Sequence, residues 1–224
     1  MSKEKKRLLY SFAFPGLFLL LIWLVKIVEV TLNLNFTFLG IFPLRVKGLI
    51  GILTAPLVHS DFQHLAANSL PLLILGTGIF YFYHKIAYKV FFLTYLISNI
   101  WIWFGARYAY HIGASGLIYG FASFLFFSGV IRKNVKLMAI SLLVVFLYGS
   151  MVWGLLPIQP HVSWESHLMG AIAGLVLAFY YRDRGPKRKI YSWELEEDDD
   201  EDDENAYWNI NYHYNENNDE KSDT

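Results

Sequence analysis

Ser115 sits in Gly113-Ala114-Ser115-Gly116 at the mouth of an apolar run, and His167 sits near the start of a second apolar run further along. A serine hydroxyl becomes a nucleophile when a positioned base takes its proton, and histidine is the commonest such base. Gly113 and Gly116 permit unusual backbone geometry and the close approach of another group beside that serine. Tyr119 follows Ser115 by one helical turn, and Gly116 with Gly120 forms a small-xxx-small pair that admits a neighbouring helix. His167, Gly170 and Gly174 fall on one helical face. If that face meets the Ser115 run, the imidazole comes within roughly 2.6–3.2 Å of the hydroxyl. A third apolar run opens with His64 and Asn68, which share one helix face about 6 Å apart. Polar residues inside spans mark wet cavities and functional sites, or they bond between helices without further role. For His167 the functional rival is a proton relay in a transporter.

The elements that carry these residues follow from composition. The chain has 224 residues, 55% of them apolar and 18% aromatic, with a positive mean hydropathy. Those values belong to polytopic membrane proteins rather than soluble domains. Runs near the ~20 residues that cross a bilayer lie at 12–32, 64–83, 88–106, 114–131, 136–153 and 165–181. Six transmembrane helices are therefore expected, with the first run too long for a signal peptide. Lys3, Lys5, Lys6 and Arg7 precede the first run, Lys85 and Lys89 join the second to the third, and Arg132, Lys133 and Lys136 join the fourth to the fifth. Arg182, Arg184, Lys187, Arg188 and Lys189 follow the sixth. The opposite side holds only Arg45, Lys47 and Arg107, so both termini are expected in the cytoplasm. Runs two, four and six then travel the same way and bring His64, Asn68, Ser115, Tyr119 and His167 to one depth, toward the outer leaflet.

The net charge of zero hides a split. Residues 194–224 hold fourteen acids and one lysine, a charge of −13, and the rest of the chain carries +13. The acidic run Glu194–Glu204 repels itself and is expected to be disordered. The expected organisation is a basic cytoplasmic segment at 1–11, a six-helix domain at 12–184, and an acidic tail at 185–224. With no cysteine, disulfides and thiolate catalysis are excluded. The basic cluster at 182–189 abuts a span, so anionic lipid headgroups explain it and nucleic acid does not. His59 and His64 lack the glutamate of a zinc-protease HExxH motif, and no aspartate lies within a run.

Together these residues resemble the rhomboid family of intramembrane serine proteases. The motifs are His59-Ser-Asp-Phe-Gln-His64-Leu-Ala-Ala-Asn68, Gly113-Ala-Ser115-Gly116 with Tyr119, and His167-x-x-Gly170-x-x-x-Gly174, spread over about residues 12–184. The resemblance implies an all-α six-helix membrane bundle that hydrolyses peptide bonds of transmembrane substrates with no cofactor or metal. The alternatives are a catalytically inactive rhomboid-like protein that binds or chaperones membrane proteins and, behind it, a small transporter. It implies Ser115 as nucleophile and His167 as base, with His64, Asn68 and the Ser115 N–H binding the oxyanion and Gly113 in the same loop. It matches Tyr119 to the ring that stacks on the base, His59 to a structural histidine, and Gly170 and Gly174 to the close contact between the fourth and sixth spans. Membrane lipids and transmembrane proteins are the implied partners, in a bacterial cytoplasmic membrane with the site facing outward. Ser166 stands where alanine is frequent, and the first loop has Arg45 without a Trp-Arg pair. With Asp61 and Glu165 assigned to loops, a dyad is expected rather than a triad.

Overall fold

In the computed structural model, residues 2–147, 153–158 and 162–186 are described. They form seven α-helices with no named strand: α1 (Lys3–Thr31), α2 (Gly51–Thr54), α3 (Phe62–Phe82), α4 (Ala87–Gly105), α5 (Ser115–Ile131), α6 (Val135–Leu147) and α7 (Trp164–Tyr180). Three of them, α1, α3 and α4, are long and apolar enough to cross a membrane, while α5 and α6 are apolar but shorter. Side-chain caps begin three of the helices. Ser2 Oγ accepts from Lys5 N, Asp61 Oδ1 from His64 N at 2.7 Å, and Ser163 Oγ from Ser166 N at 3.4 Å. The Ser2 cap explains why α1 starts at Lys3 rather than at residue 12. Helix formation needs satisfied N–H groups, not apolarity, so the basic segment is helical too.

α5 is the most enclosed element. Gly116 to Ala122, Phe124, Leu125, Ser128 and Gly129 are all buried. It packs most intimately on α7, with α6, α3 and α4 around it, and α1 lies against α3. A helix apolar on every side is suited to lipid outside and protein inside. Accordingly Leu17, Leu20 and Leu24 of α1 and Phe104 of α4 face outward, while Leu75, Ile79, Phe91 and Phe121 are fully buried.

Between α1 and α3 the chain makes short 3-10 turns at Thr37–Leu39, Val46–Gly48 and Ala55–Leu57. This segment is tied to the α4–α5 loop by an antiparallel bridge between Ile41 and His111. The fifth expected run extended to residue 153; residues 148–152 lie outside the described residues, as does 187–224 with the acidic tail. Glu165 is not a loop residue as expected. It occupies the first turn of α7, 4% exposed, where its negative charge suits the helix N-terminus.

Candidate active site

Glycine fixes the geometry of the α5–α7 contact. A Cβ on Gly170 would collide with the Gly116 carbonyl, and one on Gly174 with the Gly120 carbonyl. Ser123 Oγ also donates to Ala171 O at 2.7 Å. Contacts that advance together along both helices make them parallel, with backbones nearly touching. Ser115 is the first residue of α5 and His167 is in the first turn of α7, so this packing brings the two together.

His167 Nε2 lies 2.9 Å from Ser115 Oγ, and His167 Nδ1 lies 2.8 Å from Gly154 O. A carbonyl only accepts, so Nδ1 carries the proton and the bare Nε2 accepts from the serine hydroxyl. Tyr119 stacks on the imidazole with ring centres 4.2 Å apart and planes 10° apart. A Cβ on Gly154 would strike the Tyr119 hydroxyl and come within 2.9 Å of His167 Nδ1, so only glycine brings its carbonyl to that nitrogen.

The loop before α5 needs its glycine as well. Gly113 has φ +104°, a region that L side chains rarely adopt, and a Cβ there would stand 2.7 Å from His64 Cε1. Gly113 N donates to Ala55 O at 2.9 Å. The Ser115 N–H, in the first turn of α5, has no acceptor within its own helix.

His59 is 2% exposed. Its Nε2 accepts from Asn68 Nδ2 at 3.0 Å and, at a longer 3.4 Å, from Ala114 N. Both bonds require an unprotonated Nε2. Burial, then the nearby His64, pushes His59 down from 6.5 to about 3. Between those values the unfolded chain binds the proton and the folded chain does not. Stability is therefore full above about pH 6.5 and falls as the pH drops toward about 3. Thermal melts of the purified protein should show a lower Tm at about pH 4 than at about pH 7, with a smaller drop in His59→Asn.

His64 Nδ1 lies 3.2 Å from Ser60 Oγ, which lies 2.7 Å from Asp61 Oδ2. Bonds from Ser60 and from the His64 N–H hold the Asp61 carboxyl below its ordinary value. His64, Asn68, Ser115, Tyr119, Gly154 and His167 all line one cavity of about 590 Å³. Among the described residues, no three His, Asp or Glu side chains are grouped to hold a metal.

Three further features shape the site. Gly154 orients His167 through its backbone, which residue types cannot reveal. His111, 2% exposed, donates from Nε2 to Arg107 O at 3.0 Å and accepts from Ser163 Oγ at 2.5 Å. Burial pushes His111 down from its ordinary value. With Arg107 donating to Val162 O at 2.8 Å and pairing with Glu165 at 3.6 Å, this network ties the α4–α5 loop to the start of α7. The third feature is an ion pair, Lys26 with Glu29 at 2.8 Å, buried in α1. Two charges three apart inside an apolar run were a visible signal that no motif drew attention to.

The family model described as Rhomboid domain matches residues 47–184. An uncharacterized protein of Mycobacterium tuberculosis is 36% identical over 184 residues, covering 77% of this chain and 75% of that relative. An uncharacterized protein of Mycobacterium leprae is also 36% identical over 184 residues, covering 77% of this chain and 71% of its own length.

Proposed function

The chain belongs to the rhomboid family, and on that premise we propose that it is an intramembrane serine endopeptidase using a Ser115–His167 dyad on transmembrane protein substrates. The observation that carries this reading is the placement of His167 between the Ser115 hydroxyl and the Gly154 carbonyl. The carbonyl fixes the tautomer that leaves Nε2 free to take a proton, a task that a carboxylate performs in a triad. A dyad therefore suffices.

His167 takes the Ser115 proton as Oγ attacks the scissile carbonyl carbon. The carbonyl π electrons move onto oxygen, which the Ser115 N–H, Asn68 and His64 stabilise beside the Gly113 loop. As the C–N bond breaks, His167 returns the proton to the leaving amine, and water then hydrolyses the acyl-enzyme by the same steps. Donation from His64 Nε2 needs its proton there. Asn68 already spends one amide N–H on His59, and the second is available to the oxyanion. Losing one such donor costs about 10²–10³ in rate, and Asn68→Ala is expected to lower kcat by that factor with a small change in KM.

We further propose six spans with both termini cytoplasmic, in a bacterial cytoplasmic membrane, the site opening outward. Support comes from the basic residues beside the runs and from the mycobacterial relatives. The 17 residues of α5 rise about 26 Å, short of the ~30 Å hydrocarbon core. With its basic end at the inner interface, Ser115 then starts below the outer surface, and the cavity supplies the water that hydrolysis needs. The test is cleavage of a membrane-spanning peptide with a small-residue stretch, reconstituted with the full chain in liposomes. New termini detected by mass spectrometry support the reading; an intact peptide under conditions where a rhomboid control cuts contradicts it.

A further inference from the structure

A buried ion pair in α1 holds the turn that precedes the groups just assigned to the oxyanion. Lys26 Nζ donates to Glu29 Oε2 at 2.8 Å, His59 O at 3.1 Å and Ser60 O at 3.0 Å. An ammonium has three protons, and these three acceptors account for them. The Lys26 and Glu29 side chains are 7% and 9% exposed, and the second Glu29 oxygen accepts from Phe36 N at 2.7 Å. One pair thus pins both the His59–Ser60 turn and the start of the long first loop to the end of α1.

Adhesion between helices does not account for this arrangement. α1 already docks on α3 through Trp23, whose Nε1 donates to Ser69 Oγ at 3.1 Å and whose ring lies 6.0 Å from that of Phe62. A buried pair is no better for stability than well-packed apolar residues of like volume. What apolar residues could not do is hold two backbone carbonyls in one place. Those carbonyls flank the ring that receives Asn68 Nδ2 and Ala114 N. α1 also lies before the residues that the family model matches.

We propose that Lys26, neutralised by Glu29, is a positioning residue: it fixes the His59–Ser60 turn and, through His59, aims Asn68 and the 113–115 backbone at the oxyanion. The assignment rests on the serine-protease reading. Lys26 is buried and does not line the cavity, so it acts through the groups it positions, on the transition state and not on binding. Displacement of oxyanion donors by a fraction of the ~1 Å that costs 10²-fold sets an expected loss of about 10-fold.

The probe is a fluorophosphonate, whose reaction with serine also develops charge on oxygen. Lys26→Met alone would strand the Glu29 carboxylate, so the informative variant is Lys26→Met/Glu29→Gln, which removes both charges and keeps an acceptor for Phe36 N. In the purified full chain, kinact should fall about 10-fold with KI unchanged. Adding Asn68→Ala should give a triple variant slower than Asn68→Ala alone by clearly less than about 10-fold, because Lys26 acts in part through Asn68 and in part through the 113–115 backbone. Parental kinact in the charge-free variant, or effects that multiply in the triple variant, would overturn the proposal. Amide exchange gives a readout independent of activity. It should rise over residues 58–64 and 112–116 in the charge-free variant, and unchanged exchange there would also overturn it. A parent that does not react with the probe defeats the protease reading alone, and exchange then decides whether Lys26 holds the turn.

Discussion

Ser115→Ala is expected to lower kcat for peptide cleavage by on the order of 10⁴–10⁶-fold, with folding and KM nearly unchanged. The methyl group leaves the α5–α7 contact intact, because the helices meet through Gly116, Gly120, Gly170 and Gly174 and not through Ser115. His167→Ala should cost a comparable factor, since the hydroxyl 2.9 Å away then has no base. The double variant should be no slower than either single one, because a nucleophile without its base and a base without its nucleophile are equally idle. Residual turnover would come from the oxyanion donors alone. Progress curves with a membrane-spanning peptide in liposomes measure all three. Effects of Ser115→Ala and His167→Ala that multiply would mean that the two residues do not act as a unit.

Gly170→Val is expected to abolish activity by a different route, at least about 10²-fold in kcat together with a lower Tm. The new Cβ would overlap the Gly116 carbonyl, which is backbone and cannot rotate away. α5 and α7 must then part, and the distance between Ser115 Oγ and His167 Nε2 grows with them. Gly105→Ala is the matched control, because its Cβ would meet only Met169 Cε at an ordinary 3.8 Å. Thermal melts in detergent and cleavage assays on both variants should separate them clearly. An active, stable Gly170→Val protein would show that the close helix contact does not set the geometry of the dyad.

The sequence carried the helices well because apolar runs between charged connections have few other ways to satisfy their backbone in lipid. The apolar run marks α1 only from residue 12, because the Ser2 cap starts the helix at Lys3 within a basic stretch that hydropathy does not mark. Within the site, the side chains were legible from the spacing of Ser115, Tyr119, His167, His64 and Asn68. Their partners were not. Gly154 acts by its carbonyl, and His59 receives Asn68 across a turn whose shape depends on Lys26. Buried charges such as Lys26 and Glu29 were visible in the first run, yet only the fold reveals that they grip the loop beside the site. Glu165 and Arg107 likewise looked like loop charges and prove to join the α4–α5 loop to α7.

The most direct test of the dyad is to label membranes containing the full chain with a fluorophosphonate and identify the modified residue by mass spectrometry. One phosphonyl adduct is expected, on Ser115, absent from His167→Ala as well as from Ser115→Ala. An unlabelled parent beside a reactive rhomboid control, or an adduct that survives His167→Ala at the parental rate, would contradict it.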